Sequence, residues 1–211
     1  MVGSDERWLI MRTNGRRTKY GERSASAIST SIRIDFTPAE VEFFKKEARH
    51  RMEIHNDSGL RFHQLGIYGE AAAMRALGLP ISFCHVHDTG CDFLLGNVEI
   101  DVKCSAGEPA RTNLLFDSVE QFQADVAILT RLAADEPDGV VVEVIGWTTR
   151  KEFRESAKAV LIRGIEKPLF QRELLKPINL LRSELVRITI NGEIDNEVTG
   201  HADESRSVLP F

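Results

Sequence analysis

The chain has 211 residues, of which 42% are hydrophobic, and its formal net charge is −5 at pH 7. These values fit one globular domain with terminal extensions, and no apolar run approaches the ~20 residues that span a bilayer. The start lacks the apolar core of a secretory signal, and the three cysteines form no disulfide-type pattern. We therefore expect a cytoplasmic protein without membrane contact.

The first 33 residues differ in charge from the rest of the chain. Residues 1–33 contain seven basic and three acidic residues, a net +4, which leaves −9 for the remainder. Lys and Arg supply most non-specific DNA affinity, so a basic arm of this kind would follow a phosphate backbone. The same composition, without a periodic apolar face, also fits a solvated, disordered tail. Both interpretations stay open for this segment.

Periodicity and turn residues predict a mixed α/β domain over residues 34–192. Thr37, Pro38 and Glu40 provide an N-cap, a first-turn proline and a capping-box acid, so a helix begins there and continues to about residue 54. A second helix covers about 60–77 and ends before Gly78. The remaining predictions are strands at 31–36, 81–86, 92–95, 98–104, 124–132, 140–147 and 185–190, helices at 149–157 and 169–176, and a polar tail at 193–211.

The stretch from residue 90 to residue 103 carries a clustered charge pattern. It reads as two short strands joined by a turn at Gly96 and Asn97, residues that tolerate the backbone of tight hairpins. Side chains alternate along the second strand, which separates charged from apolar residues. The charged face holds Glu99, Asp101 and Lys103, and the apolar face holds Val98, Ile100 and Val102. Asp92 enters from the first strand, and such clustered carboxylates favour a hard metal ion.

The second helix has features that would bring an acid to this cluster. Gly66, Gly69 and Ala73 recur at helical spacing, so one face of the helix permits close approach to a sheet. Glu70 lies beside that face, where a charge is costly unless it is paired or bound to a metal. We therefore group Glu70 with the charged strand residues.

In order and spacing these residues resemble the PD-(D/E)XK nuclease superfamily, which has the restriction-endonuclease-like fold. Its pattern is an acid on a helix, then Asp on one strand of a hairpin and (D/E)-x-K on the next. The matching positions here are Glu70, Asp92 and Asp101-Val102-Lys103, while Cys91 replaces the proline of the family name. The resemblance covers about residues 66–147. It implies an αβββαβ core with a central mixed β-sheet flanked by helices.

The resemblance also implies an activity, a cofactor and a partner. The implied activity is Mg²⁺- or Mn²⁺-dependent hydrolysis of DNA phosphodiester bonds, with Glu70, Asp92, Asp101 and Lys103 as the catalytic residues. Asp92, Asp101 and the Val102 carbonyl would bind the metal, and Glu70 would be an outer ligand, through water or a second metal. Lys103 would orient the attacking water or stabilise charge on the phosphate. A homodimer is compatible with cleavage of both DNA strands.

Several other interpretations of the same residues stay open. One alternative is that the Asp-x-Lys alternation is the ordinary pattern of a solvated strand face. Another is a non-catalytic nucleic-acid-binding or structural protein that keeps the nuclease fold. Glu99 and Ser105 continue the charged face, and Gln121 and Gln123 precede the next strand. Zinc-type ligands also occur close together, at Cys84, His85, His87, Cys91 and Cys104. They lack a tight Cys-x-x-Cys pair, so structural zinc is not expected. No spacing singles out a thiol–imidazole pair, so cysteine nucleophile chemistry is not expected either.

Overall fold

The computed structural model of the protein describes residues 31–55, 59–83 and 90–185. Nearly all of the predicted basic arm, the polar tail and most of the strand predicted at 185–190 lie outside these residues. The helices are α1 (Pro38–His55), α2 (Leu60–Ala76) and α3 (Arg150–Ser156). The strands are β1 (Ile32–Phe36), β2 (Phe93–Leu95), β3 (Val98–Ser105), β4 (Leu114–Leu115), β5 (Val126–Glu136), β6 (Gly139–Thr149), β7 (Lys158–Ile162) and β8 (Ile165–Phe170). None of the helices in the described ranges combines the length and apolar content needed to cross a membrane.

The start of α1 follows the capping chemistry predicted from the sequence. The Thr37 backbone N–H donates to Glu40 Oε2 at 2.8 Å, and the Glu40 N–H donates to Thr37 Oγ1 at 3.4 Å. This reciprocal pair satisfies N–H groups that the first helical turn leaves without partners. The helix then buries Val41, Phe44 and Ala48, which recur at helical spacing.

A five-stranded mixed sheet forms the centre of the fold, in the order β1-β6-β5-β3-β2. β3 and β5 are parallel, and the other neighbouring pairs are antiparallel. The larger apolar core contains buried residues of α1, α2 and the sheet, including Phe44, Ala72 and Val102. An α/β architecture with a mixed sheet and helices is therefore confirmed.

The connections around the hairpin differ from the predicted αβββαβ order. Residues 81–83, the described part of the strand predicted at 81–86, belong to no helix or strand. The connection from β3 to β5 contains a short 3-10 helix (Pro109–Arg111) and β4, but no α-helix. Phe116 and Phe122 of this connection stack at 4.8 Å between ring centroids in a second apolar core. Both rings are buried in that core.

A second sheet has the strand order β4-β8-β7. The helix predicted at residues 169–176 is wrong, because Leu169 and Phe170 end β8 and a 3-10 helix (Arg172–Leu174) follows. A tight turn at Arg163 and Gly164, with φ values of 51° and 81°, joins β7 to β8 as a hairpin. Tertiary pairing of β8 with β4 and β7 therefore overrides the local helical pattern.

Candidate active site

Helix α2 lies unusually close to the main sheet at Gly69. A Cβ atom at this position would be 2.8 Å from the Cys104 Cβ atom and 3.4 Å from Val102 Cγ1. The missing side chain therefore allows the helix to pack against β3 at the end of the hairpin. The next residue, Glu70, is only 1% exposed as a result. The predicted close approach of this helix to the sheet is confirmed at Gly69, next to Glu70, whereas Gly66 of the predicted face lies against Glu70 and Arg51 instead.

Glu70 is paired with Arg51 of α1. Arg51 Nη1 lies 2.5 Å from Glu70 Oε1, and Arg51 Nη2 donates to Glu70 Oε2 at 2.9 Å. The side chains are 16% and 2% exposed, respectively, so this is a largely buried two-point ion pair. Sequence reasoning missed Arg51, because it lies 19 residues before Glu70 next to two other basic residues, Arg49 and His50.

Asp92 lies at the edge of β3, just before β2 begins. Its backbone N–H donates to the Ile100 carbonyl at 2.8 Å, and its Oδ2 accepts a hydrogen bond from the Val102 N–H at 2.6 Å. The carboxylate thus takes the place that a further residue of β2 would occupy along the ladder. Both backbone groups of a strand residue point to the same edge, so the Val102 carbonyl also faces this side of β3.

Asp101 and Lys103 share a face of β3, as the alternation predicts. Lys103 Nζ donates to Asp101 Oδ1 at 2.7 Å. The Asp101 side chain is 7% exposed and that of Lys103 is 42% exposed, so the lysine is open to solvent while the acid is buried. The Lys103 ammonium also lies 5.0 Å from the centroid of the Phe116 ring, which restricts its position. The apolar residues on the opposite face of β3 belong to the larger core.

Glu70 and Asp101 both act electrostatically on Asp92. The pKa of Asp92 is raised well above its usual value, first by burial of the carboxyl group and then by the negative charges of Glu70 and Asp101. The Val102 N–H and Lys103 act in the opposite direction but do not cancel this effect. The carboxyl group is enclosed although the Asp92 residue as a whole is partly exposed. A cation or a proton is therefore favoured at Asp92.

The carboxylate oxygens of Asp92 and Asp101 suit a hard cation, although they already accept hydrogen bonds from groups within the protein. Among residues 31–55, 59–83 and 90–185, no group of three or more His, Cys, Asp and Glu side chains is arranged to hold a metal ion. Asp92 instead accepts from a backbone N–H and Asp101 from Lys103. Mg²⁺ commonly uses only one or two protein carboxylates and keeps several waters, so Asp92 and Asp101 are the side chains here that a hard cation would use.

The other polar residues considered from the sequence have local roles. Ser105 Oγ accepts from the Gly107 N–H at 3.0 Å, and the Gln121 side chain accepts from the Asp117 N–H at 3.2 Å. Gln123 is exposed and lies against Gly90, where a Cβ atom would be 2.7 Å from Gln123 Oε1.

Glu99, the remaining charged residue of β3, is linked through its backbone to the residues that precede β5. The Glu99 N–H donates to Asp125 Oδ2 at 3.0 Å, and the Asp125 N–H donates to the Glu99 carbonyl at 3.0 Å. This reciprocal pair helps to fix the start of β3 beside the residues that lead into β5. Cys91 and Cys104 are free of disulfides. Cys84, His85 and His87 lie outside the described residues.

Comparisons of the chain with protein-family models, with curated proteins and with solved structures find no match.

Proposed function

We propose that the protein is a metal-dependent nuclease that hydrolyses DNA phosphodiester bonds. One observation carries this proposal: Asp92 accepts from the Val102 N–H at 2.6 Å, beside the strand residues Asp101 and Lys103, which are 2.7 Å apart, and the charges of Glu70 and Asp101 both act on Asp92. Repulsion and burial both oppose the charged state of Asp92, and acids perturbed in this way cluster at functional sites. The arrangement also provides both charge signs that phosphodiester hydrolysis requires.

A phosphodiester is anionic, so an enzyme that hydrolyses it must neutralise the phosphate, position a water molecule and stabilise the leaving oxygen. Mg²⁺ or Mn²⁺, when bound, would supply Lewis acidity and a more acidic water at neutral pH. Asp92 and Asp101 would hold the ion from the edge of β3, with the Val102 carbonyl on the same side. Glu70 would act as an outer group that adds negative charge near Asp92.

Lys103 is suited to act on the substrate because its side chain is 42% exposed. Its ammonium is held between Asp101 Oδ1 at 2.7 Å and the Phe116 ring. From this position it would hydrogen-bond to the attacking water or to a phosphate oxygen, which places its charge where negative charge develops. The neighbouring carboxylate would keep the lysine oriented between turnovers.

The test is cleavage of linear, circular, single-stranded and branched DNA with Mg²⁺, with Mn²⁺ or with EDTA. Wild type is compared with Asp101→Ala and Lys103→Ala, and with Lys151→Ala as a control at an exposed lysine of α3. We expect metal-dependent cleavage that falls by about 100-fold or more in the two site variants, the loss typical of removing a transition-state donor. Cleavage that persists in EDTA, or in both site variants, would contradict the proposal. Sedimentation of the active species would show whether it cuts as a homodimer.

A non-catalytic nucleic-acid-binding or structural role is the second candidate. It is favoured by the internal partners of the acids. Arg51 donates hydrogen bonds to both carboxylate oxygens of Glu70, and Lys103 donates one to Asp101. A cluster satisfied in this way can persist without any metal. This role predicts DNA binding that is equal in Mg²⁺ and in EDTA and that does not depend on Lys103. Wild type that binds DNA in this manner and cleaves no substrate would favour it over the nuclease.

A further inference from the structure

Beyond its base, the β7–β8 hairpin is a two-stranded ribbon. β4 pairs with β8 only at Leu169 and Phe170, at the base of the hairpin, whereas β7 pairs with residues 165–169. In the described part of the chain, the outer half of β8 therefore has β7 as its one strand partner. Leu161 is 75% exposed and Ile165 is 60% exposed, and the register places them on opposite faces. Both faces of the outer hairpin are thus open to solvent.

An arginine occupies an unusual backbone position at the tip of this ribbon. Arg163, with a φ of 51°, is the only non-glycine residue with a positive φ among residues 31–55, 59–83 and 90–185. Two-residue turns of this kind favour asparagine before glycine, because asparagine tolerates a positive φ. The Arg163 side chain is exposed, and none of the ion pairs between described residues includes it. The turn therefore does not explain the choice of arginine, whose charge is presented to solvent.

The hairpin is also basic within an acidic domain. Residues 158–170 contain three basic residues and one acidic residue, a net +2, whereas residues 34–149 contain nine basic and nineteen acidic residues, a net −10. Lys158 and Arg163 are exposed, while Lys167 forms an ion pair with Asp117. A positive protrusion on a negative domain is complementary to a polyanion.

The base of the hairpin adjoins the ring that contacts Lys103. The Phe116 N–H donates to the Pro168 carbonyl at 3.4 Å, and the Phe116 ring centroid lies 5.0 Å from Lys103 Nζ. Pro168 is five residues from Arg163. At about 3.3 Å per residue, the tip lies about 16 Å from the base. That length corresponds to about five base pairs of duplex DNA, so the tip reaches a duplex whose phosphate lies at Lys103.

We propose that the β7–β8 hairpin enters the major groove of double-stranded DNA, where Arg163 contacts a phosphate and Leu161 and Ile165 contact the base edges. The groove is about 12 Å wide and admits a two-stranded ribbon, and its thymine methyl groups accept apolar contacts. The major groove of double-stranded RNA is deep and narrow, which excludes such a ribbon. This inference rests on the proposed nuclease function and goes further by naming duplex DNA as the substrate class.

The test is binding of a short fluorescent DNA duplex to the purified full chain in EDTA, measured by anisotropy at several salt concentrations. Arg163→Asn should bind roughly 3–10-fold more weakly, and its slope of log K against log salt concentration should be smaller by about 0.9. Its unfolding temperature should equal or exceed that of wild type, because asparagine suits the turn better than arginine. Arg182→Gln, at another exposed arginine, is the control and should bind like wild type.

Leu161→Thr tests the apolar contact separately. Threonine keeps a high strand propensity, so the hairpin should persist, and binding should weaken without a change in the salt slope. An RNA duplex of the same sequence should compete poorly for the wild-type protein.

An Arg163→Asn variant that binds duplex DNA like wild type would overturn the inference and leave the nuclease proposal intact. Equal competition by the RNA duplex would do the same. If Leu161→Thr instead dissociates a homodimer in sedimentation and leaves DNA affinity unchanged, the hairpin joins two copies of the chain and the inference is wrong. Arg163-dependent binding to phosphatidylserine vesicles, but not to DNA, would also overturn it. A wild type that binds no duplex DNA and cleaves none would overturn both proposals.

Discussion

Gly69 of α2 faces Thr130 of β5 at a distance that leaves no room for a side chain. A Cβ atom at Gly69 would lie 2.7 Å from Thr130 Oγ1, and Thr130 is fully buried. This contact brings α2 close to the sheet, and the next residue, Glu70, is buried beside it. The burial of one charge in the candidate site thus depends on the absence of a side chain at Gly69, opposite the central strand β5.

Gly69→Ala should therefore destabilise the protein and displace Glu70. Alanine favours helices over glycine, but the added methyl group would also be 2.8 Å from the Cys104 Cβ atom, so the helix or the sheet must move. Overpacking of this kind costs about 1–3 kcal/mol in free energy of unfolding. Urea unfolding of wild type and variant would measure this difference in the free energy of unfolding.

Gly66→Ala is the matched control on the same helix. A Cβ atom there would be 3.6 Å from Glu70 Oε1 and 3.8 Å from Arg51 Nη1, which are ordinary contacts. This variant should gain up to about 1 kcal/mol from helix propensity. Equal effects of the two substitutions would show that the close approach at Gly69 is unimportant for stability.

Asp92→Asn should stabilise the protein in EDTA at neutral pH. Folding raises the pKa of Asp92, through burial and the charges of Glu70 and Asp101, so the folded state keeps the proton to higher pH than the unfolded chain. The free energy of unfolding should therefore fall as pH rises from about 3.9, the ordinary Asp value, through the raised pKa of the folded state. Asparagine keeps an acceptor for the Val102 N–H and removes this dependence.

Thermal unfolding between pH 4 and pH 8 in EDTA would measure the effect of Asp92→Asn. Asp138→Asn, at an exposed turn, is the control and should follow the wild-type profile. Addition of Mg²⁺ should raise the unfolding temperature of wild type and of the control more than that of Asp92→Asn. An Asp92→Asn variant that is less stable than wild type at pH 8 in EDTA would contradict the assigned electrostatics.

Glu152 should stabilise α3 in a pH-dependent manner. Burial alone would raise the pKa of Glu152, but hydrogen bonds with Lys176 and Thr149 outweigh it and lower the pKa below 4.5. The stabilisation is therefore present above the ordinary pKa and is lost as pH falls through the lowered value. Glu152→Gln should cost about 0.5 kcal/mol at pH 7, as expected for a partly exposed pair, and little at pH 3. Glu155→Gln, at an exposed position of α3, should leave the free energy of unfolding unchanged at both pH values.

Phe116→Leu should slow cleavage without preventing metal binding. The Lys103 ammonium lies 5.0 Å from the Phe116 ring centroid, and leucine removes this attraction while keeping an apolar side chain in the core. A loss of about 0.5–1 kcal/mol of positioning corresponds to roughly a 2–5-fold lower rate constant for single-turnover cleavage. Phe170→Leu, in the same aromatic cluster, is the control for packing. Equal losses in both variants would mean that packing, rather than the lysine contact, is responsible.

The parts of the fold that the sequence predicts well are those with local causes. The capping box at Thr37 and Glu40 and the hairpin turn at Gly96 depend on residues within a few positions of each other. Alternation along β3 likewise separates Asp101 and Lys103 from the core-facing residues, because the period of a strand is fixed by backbone geometry. The helix predicted at residues 169–176 was wrong for a non-local reason, because Leu169 and Phe170 pair with β4, which lies more than 50 residues earlier in the chain.

The sequence by itself determined the chemical character of the candidate site: acids on a glycine-containing helix and on a hairpin, with a lysine two residues after Asp101. Only the tertiary structure decided which charges balance them. Arg49, His50 and Arg51 follow one another in α1, and nothing local distinguishes the one that meets Glu70. That choice depends on how α1 packs against α2, since rotation of about 100° per residue points neighbouring side chains in different directions. The packing of α1 against α2, rather than any motif, therefore places the Arg51 guanidinium beside Glu70.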